Sequence, residues 1–322
     1  MQYRKIGKSD LEVSEISLGC WTMGGLNWVD GHANGWANVD EDEITAGIKA
    51  ALDAGVTHFD NADVYGNGRA ERMLARVLNK LGVKPDSVTI ATKLGHFRGT
   101  AAHAFDPLHI RHQCEQSLQN LERDYIDLYY FHHGGFGEYL EDAAATMDAL
   151  VAEGKVRVKG QSAYSVADFE RAVPVVKPDA LQSWAHALDD GFVREGGPLQ
   201  KLMEDHGCTF VAFSPLAQGR LLDKFDPTKP PSFEPGDHRQ NSGAFSAEAI
   251  AELKPKLEKL KERFGATTED LSAIAQRYIL NHPNVACVIP GFRNERQVSC
   301  NLAAVERELS PEDMEYIRTT LA

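Results

Sequence analysis

Eight short β-favouring runs recur along this chain, separated by stretches of helical periodicity, and few architectures accept that order. The runs are ISLGC at 16–20, THFD at 57–60, SVTIATK at 87–93, IDLYYFH at 126–132, VRVKGQ at 156–161, ALQSW at 180–184, TFVAFS at 209–214 and ACVIP at 286–290. Between them, RAERMLARVLNKLG sets Met73, Leu74, Val77, Leu78 and Leu81 on one helical face. The stretch opened by Pro107, a good first-turn residue, does the same with Ile110, Cys114, Leu118 and Leu121. Strands that alternate with helices build parallel sheets. Eight such units in 322 residues favour a (β/α)8 barrel over an open sheet, with residues 1–322 as a single domain.

Three segments exceed the bare repeat. Residues 1–14 are expected to form a short hairpin before the barrel. The insertion GGLNWVDGHANGWANVD at 24–40 follows the first run and carries Trp28 and Trp36. Residues 217–245, rich in Pro, Gly, Asp and Lys, follow the seventh. Loops after barrel strands sit at the face that carries chemistry. The 217–245 segment is therefore expected to close over a bound cofactor, and Trp28 and Trp36 to wall the substrate site.

Charge narrows the partners. A net charge of −13 and a pI near 5.4 argue against nucleic acid or an anionic membrane surface. No stretch approaches the roughly 18 apolar residues of a membrane span, and the first residues lack the apolar core of a secretion signal. The five cysteines are scattered, without paired or zinc-like spacing, as expected for reduced thiols in a cytoplasmic protein.

Three of the runs end in titratable groups: Asp60, Lys93 and His132, with Tyr65 close behind the first in DVYGNG. A lysine at the end of VTIAT loses water and calls for a carboxylate, which Asp60 can supply from a neighbouring strand. A tyrosine, of ordinary pKa about 10, can act as an acid near neutrality if a cation stabilises its phenolate. Singly, these residues read as a structural ion pair and a packed tyrosine; together with His132 they form a proton-transfer set without a nucleophile. His132 and His133 point to opposite sides of a strand, so one reaches the site and the other is expected in solvent. No spacing suggests a metal centre. GNG at 66–68 is not a dinucleotide fingerprint, because Glu71 stands at the third glycine position. Phosphate recognition fits better in SPLAQGRL at 214–221 and IPGFRNERQVSCN at 289–301, after the seventh and eighth runs, where barrels bind phosphate and where Arg293 adds charge. Arg296 reads as a solvated residue on a helix face.

Taken together, these segments resemble the aldo-keto reductases. FDNADVYGNGRAE is similar to that family's signature around its aspartate and tyrosine, IATKLG to its lysine segment and IDLYYFH to its histidine segment. GKVRVKGQSAYS resembles the fifth-strand motif, with Lys159 and Gln161 unusual, and FSPLAQGRL and VIPGFRN the cofactor loops. The resemblance runs in order from about residue 2 to 318. It implies a barrel that binds NADPH without a Rossmann fold and reduces a small-molecule carbonyl compound. It implies Tyr65 as proton donor, Lys93 and Asp60 as its tuning pair, and His132 as the group that orients the carbonyl. Ser162 and Gln182 would hold the nicotinamide carboxamide, Ser214, Leu216 and Gly219 would line the pyrophosphate, Arg293 would meet the 2′-phosphate, and Gln297 and Asn301 the adenosine end. Trp21 joins the cofactor set. Ala163 replaces a common asparagine, Ala185 stands where an aromatic residue is expected, Cys300 replaces a common glutamate, and HGGFGE replaces the usual turn after the histidine. A cofactor-binding regulatory subunit similar to potassium-channel β subunits is the alternative function, and a metal-dependent lyase or isomerase a third.

Overall fold

The computed structural model describes residues 1–29 and 31–322. Its eight-stranded sheet takes the strands in chain order: Leu18–Gly19, His58–Asp60, Thr89–Leu94, Ile126–Phe131, Val156–Ser162, Ala180–Trp184, Thr209–Phe213 and Val285–Ile289. Every pairing is parallel. The first and last strands meet through bridges at Ile16–Val288 and Gly19–Gly291, with Ser17 N donating to the Val288 carbonyl at 2.9 Å. That contact closes the sheet into the expected barrel.

The helices follow from local signals. Asp106 caps the helix Pro107–Leu121 by accepting from Leu108 N, and proline at its first turn gives up no helical hydrogen bond. Its apolar face buries Ile110, Cys114, Leu118 and Leu121; Arg69–Lys80 buries Met73, Leu74, Val77 and Leu78. Neither face could be covered without the barrel wall behind it.

Side chains alternate in and out along each strand, so register decides which groups share the interior. Ala91, Leu128, Tyr130, Val158, Ala180, Val211, Cys287 and Ile289 form the inner core. Ile6, Leu11 and Val13 belong to the same cluster. They come from the antiparallel hairpin Tyr3–Lys5 and Glu12–Ser14, which plugs the N-terminal end of the barrel and leaves the opposite end for chemistry.

The 24–40 insertion is a second hairpin, Leu26–Val29 with His32–Gly35. The 217–245 segment holds two short 3-10 turns, Ala217–Leu222 and Gly243–Phe245. The two insertions are joined: Gly35 N donates to the Gly236 carbonyl at 3.0 Å, and His238 N returns a bond to the Gly35 carbonyl at 2.8 Å. Among the described residues no helix is long and apolar enough to cross a membrane. All five cysteines are free and buried.

Candidate active site

Asp60 is level with Ala91, and Lys93 with Tyr130. Because Ala91 and Tyr130 face the interior, Asp60, Lys93 and, two residues beyond Tyr130, His132 share the inner side near the C-terminal mouth. The same parity brings in Ser162 and Gln182, which are level with each other on the fifth and sixth strands.

Lys93 is wholly buried. Its Nζ donates to Asp60 Oδ1 at 2.5 Å, to the Asn61 carbonyl at 2.6 Å and to the Tyr65 hydroxyl at 3.3 Å. Three donors thus meet three oxygens, as burial of an ammonium requires. The other Asp60 oxygen accepts from Gln182 Nε2 at 2.8 Å. Tyr65 is fixed by the loop that carries it. Asp63 N donates to the Lys93 carbonyl, and the Ala70 N at the start of the next helix donates to the Tyr65 carbonyl. Gly66 has φ +57° and sits so close to Gly24 that a Cβ there would lie 1.9 Å from the Gly24 carbonyl oxygen, so only glycine allows this turn. The Trp21 ring stacks on Tyr65 with centroids 5.8 Å apart.

Burial, and then the Asp60 carboxylate, raise the Tyr65 phenol well above its ordinary range. The expected acidification by Lys93 does not prevail, because burial penalises the phenolate most and the Asp60 carboxylate beside it adds to that. Tyr65 is therefore a neutral phenol beside a cation. Burial likewise holds His132 far below the usual histidine range, so its imidazole is neutral, and its Nδ1 is enclosed without a partner. His132 lies edge-on to Tyr65, centroids 5.9 Å apart. His133 differs from the solvated residue expected. Its Nε2 bonds the Gly95 carbonyl at 2.8 Å, its Nδ1 accepts from Gly135 N at 3.0 Å, and its ring packs on Phe105.

The cofactor-related residues gather around the same mouth. Ser162 Oγ and Trp21 Nε1 are buried without partners, as groups awaiting a polar ligand would be. Ser214, Ala217 and Gln218 all have positive φ, 56°, 47° and 57°, and with Gly219 at 91° they form a strained turn just after the seventh strand. Leu216 is the N-cap of the 3-10 turn that follows. Lys224 lays its ammonium against Gly219. Loss of water there, and then Arg239, Arg293 and Arg296, hold its pKa below the lysine range. Lys224 and Arg293 thus lie in a neighbourhood of positive charge, part of which the Arg239–Asp237 pair neutralises. Lys224 and Arg239 were not singled out in the sequence; the signal was cations in DKF and GDHR within a loop over the mouth. Arg293 Nη1 donates to the Ala37 carbonyl at 3.0 Å, and Arg239 pairs with Asp237 and lies over Trp36 at 4.4 Å. Gln297 N is taken by the helix cap Asn294, and Asn301 Nδ2 donates to the Gly291 carbonyl at 3.3 Å.

Trp36 is buried behind Trp21, while Trp28 is 58% exposed, and its backbone is tied to the Asn67 side chain. Ala163 and Ala185 are fully buried; Ala185 N donates to the carbonyl of Phe213, the nearest aromatic residue on the adjoining strand. Trp184 turns outward to Asp189 and Phe192. Lys159 points away to Asp148, and Gln161 bonds the His133 carbonyl. Glu71 is buried against Thr92 and Asn120, a structural role. No cluster of three or more metal-ligating side chains occurs among the described residues.

A model of the aldo/keto reductase family matches residues 15–322. The chain is 31% identical over 328 residues to aldo-keto reductase str7 of Strobilurus tenacellus, spanning 98% of this chain and 90% of that protein. It is 27% identical to a probable voltage-gated potassium channel subunit beta of Arabidopsis thaliana, spanning 95% and 92%. Among solved structures, the glycerol dehydrogenase AKR11B4 from Gluconobacter oxydans aligns with a TM-score of 0.82 at 26% identity, covering 99% of this chain and 94% of that one.

Proposed function

Because the chain belongs to the aldo/keto reductase family, whose members are NAD(P)-dependent oxidoreductases acting on carbonyl groups, we propose that it reduces an aldehyde or ketone to an alcohol with NADPH, and that Tyr65 gives the proton. The observation that carries this reading is the buried chain Asp60–Lys93–Tyr65 ending in a neutral phenol at the mouth of the barrel. When bound, the nicotinamide supplies a hydride. The protein residues handle the rest. Ser162 Oγ, buried without a partner, and the Gln182 side chain would hold the carboxamide, and Arg293 with Lys224 would meet the phosphates. The neutral His132 offers a hydrogen bond to the carbonyl oxygen without adding a charge. Tyr65 O–H then donates its proton to that oxygen. The phenolate left behind lies beside the Lys93 ammonium, which meets the charge only once it has formed. Burial, and then the Asp60 carboxylate, keep Tyr65 protonated, so the group that must give the proton carries one.

The cation cluster supports NADPH over NADH, because a 2′-phosphate adds charge that guanidinium groups recognise well. The decisive test is Tyr65→Phe, which removes the proton and keeps the ring stacked on Trp21. A general acid contributes roughly 10²–10⁴-fold, so kcat should fall by that range while NADPH still binds. Near-wild-type reduction of a reactive aldehyde by this variant would overturn the assignment. The likeness to a probable potassium channel β subunit favours one second reading, a cofactor-binding regulatory subunit. Repeated NADPH turnover by the isolated protein separates the two.

A further inference from the structure

Behind the Asp60–Lys93 pair, on the outer face of the barrel wall, lies a second buried polar group that the reaction does not use. Lys93 points inward, so Thr92 beside it points outward, and by the same alternation Tyr129 points out where Tyr130 points in. Two carboxyl groups are buried there: Glu71 from the helix Arg69–Lys80, and Asp63 from the loop that carries Tyr65. Among the described residues neither pairs with a cation. Glu71 has both oxygens satisfied, Oε1 accepting from Thr92 Oγ1 at 2.6 Å and Oε2 from Asn120 Nδ2 at 2.8 Å. Asp63 is served on one side only. Its Oδ2 accepts from Gln113 Nε2 at 2.8 Å, while Oδ1 is fully enclosed without a partner. The Tyr129 hydroxyl, which faces both carboxyls, is enclosed without a partner as well.

The count of donors decides which of the two ionises more readily. A buried carboxylate needs donors on both oxygens. Glu71 has them and Asp63 does not, so Glu71 gives up its proton first and Asp63 holds one longer. Asp63 stands two residues before Tyr65, and its backbone N donates to the Lys93 carbonyl at 3.1 Å. A charge on it would oppose the phenolate that Tyr65 must become. It would draw on the same Lys93 ammonium and make the phenol a weaker acid. We propose that Asp63 is a positioning residue for the proton transfer, acting through Tyr65: while neutral it leaves the field of Lys93 to the phenolate, and once ionised it slows the reaction. The inference rests on the reductase reading above. Burial lifts the Asp63 carboxyl to about 7; the Gln113 hydrogen bond, the Val64 N–H and Lys93 oppose that rise, and Glu71 adds to it. The groups that face Asp63 are thus Glu71 and Gln113 from the two covering helices, Lys93 and Tyr129 from the third and fourth strands, and Tyr65 from its own loop. The sign follows. Asp63 is neutral below about 7 and charged above it, so the rate falls as pH rises through that value. Tyr65 itself loses its proton only far above.

The test reads single turnovers by stopped flow, as NADPH oxidation with a reactive aldehyde in excess, from about pH 5 to 9. The wild-type rate should drop roughly three- to tenfold as pH rises through about 7, the tenfold end matching an acid weakened by about one pKa unit. Asp63→Asn, whose amide cannot ionise, should show no such drop, whatever its absolute rate. Gln113→Met keeps the length of the side chain and removes a hydrogen bond that favours the charged form, so it should move the drop to higher pH by roughly half a unit to one unit. A purely structural role for Asp63 would alter rate or stability and leave the pH of the drop in place. A wild-type rate that is flat through neutrality overturns the assignment, as does a drop with an unmoved midpoint in Asp63→Asn. If Asp63→Asn does not fold, an unmoved midpoint in Gln113→Met overturns it alone. Failure of the wild type to oxidise NADPH at every pH overturns the reductase reading and this inference with it.

Discussion

The barrel holds a buried ion pair at each end, and the two are built differently. At the N-terminal end, Arg277 grips Glu15 with two bonds, Nη1 to Oε2 at 2.9 Å and Nη2 to Oε1 at 3.0 Å, and gives its remaining donors to the Ala304 carbonyl. Arg4 from the plug hairpin adds a second cation to the same carboxylate at 3.1 Å. Every partner there is fixed, and three distant segments are tied together. At the C-terminal end the pair is a single Lys93–Asp60 contact, and its other neighbours are the Asn61 carbonyl, a titratable phenol and a glutamine that faces the mouth. Arginine suits the first role because its planar fork locks geometry; lysine suits the second because a compact charge can respond to a change beside it. Equal burial does not mean equal purpose. What separates a structural pair from a working one is whether its third partner can change protonation.

That contrast can be broken by experiment. Lys93→Met should cost the most: reductase turnover is expected to fall roughly 10³-fold or further, because the phenolate loses its cation. A folded, active Lys93→Met protein would make the upper pair structural as well. Arg277→Met should do the reverse. Leaving Glu15 buried with only Arg4 should destabilise the fold by about 3 kcal/mol, the low end for a broken buried pair, read as a shift in the urea midpoint, with kcat of the folded protein preserved. A loss of kcat without a loss of stability would erase the distinction.

A third buried carboxylate sharpens it. Asp63 has no cation, only Gln113 Nε2 at 2.8 Å, and burial lifts its carboxyl to about 7. It therefore keeps a proton in the folded state that the unfolded chain has released above about 4. Its contribution to stability is full below that pH and is lost as pH rises towards 7. Asp63→Asn should flatten this decline, by at most a few kcal/mol. An unchanged pH dependence of the urea midpoint would mean that another group carries it. The smallest effect belongs to Arg293, a charge bound only to a carbonyl. Arg293→Ala should weaken NADPH about tenfold and NADH far less, measured by fluorescence titration; equal losses would remove it from the 2′-phosphate.

The strands were legible because each is a short apolar run bounded by polar residues, and all eight expected runs overlap the observed ones within about two residues. Asp60, Lys93 and His132 were legible for the same reason, since a titratable group ending such a run has few reasons to be there. The direction of the Tyr65 shift was not, because it depends first on how deeply the fold buries the phenol and then on the nearness of Asp60, neither of which spacing carries. His133 could not be separated from a solvated residue, since its anchors lie in other segments. The same holds for Lys224 and Arg239, whose convergence on Arg293 is made by loops that read only as polar and proline-rich.

The bonds between Gly35 and Gly236–His238 have a practical consequence for anyone who would re-engineer this protein. The hairpin and the long loop are encoded about two hundred residues apart, yet each supplies backbone partners that the other would otherwise owe to water. They form one cassette. A loop transplanted from a relative into either position alone would arrive with its matching edge missing, and libraries that diversify only one half would be sampling misfits. Recombination that moves 24–40 and 217–245 together respects the joint, and is where altered substrate ranges should first be sought.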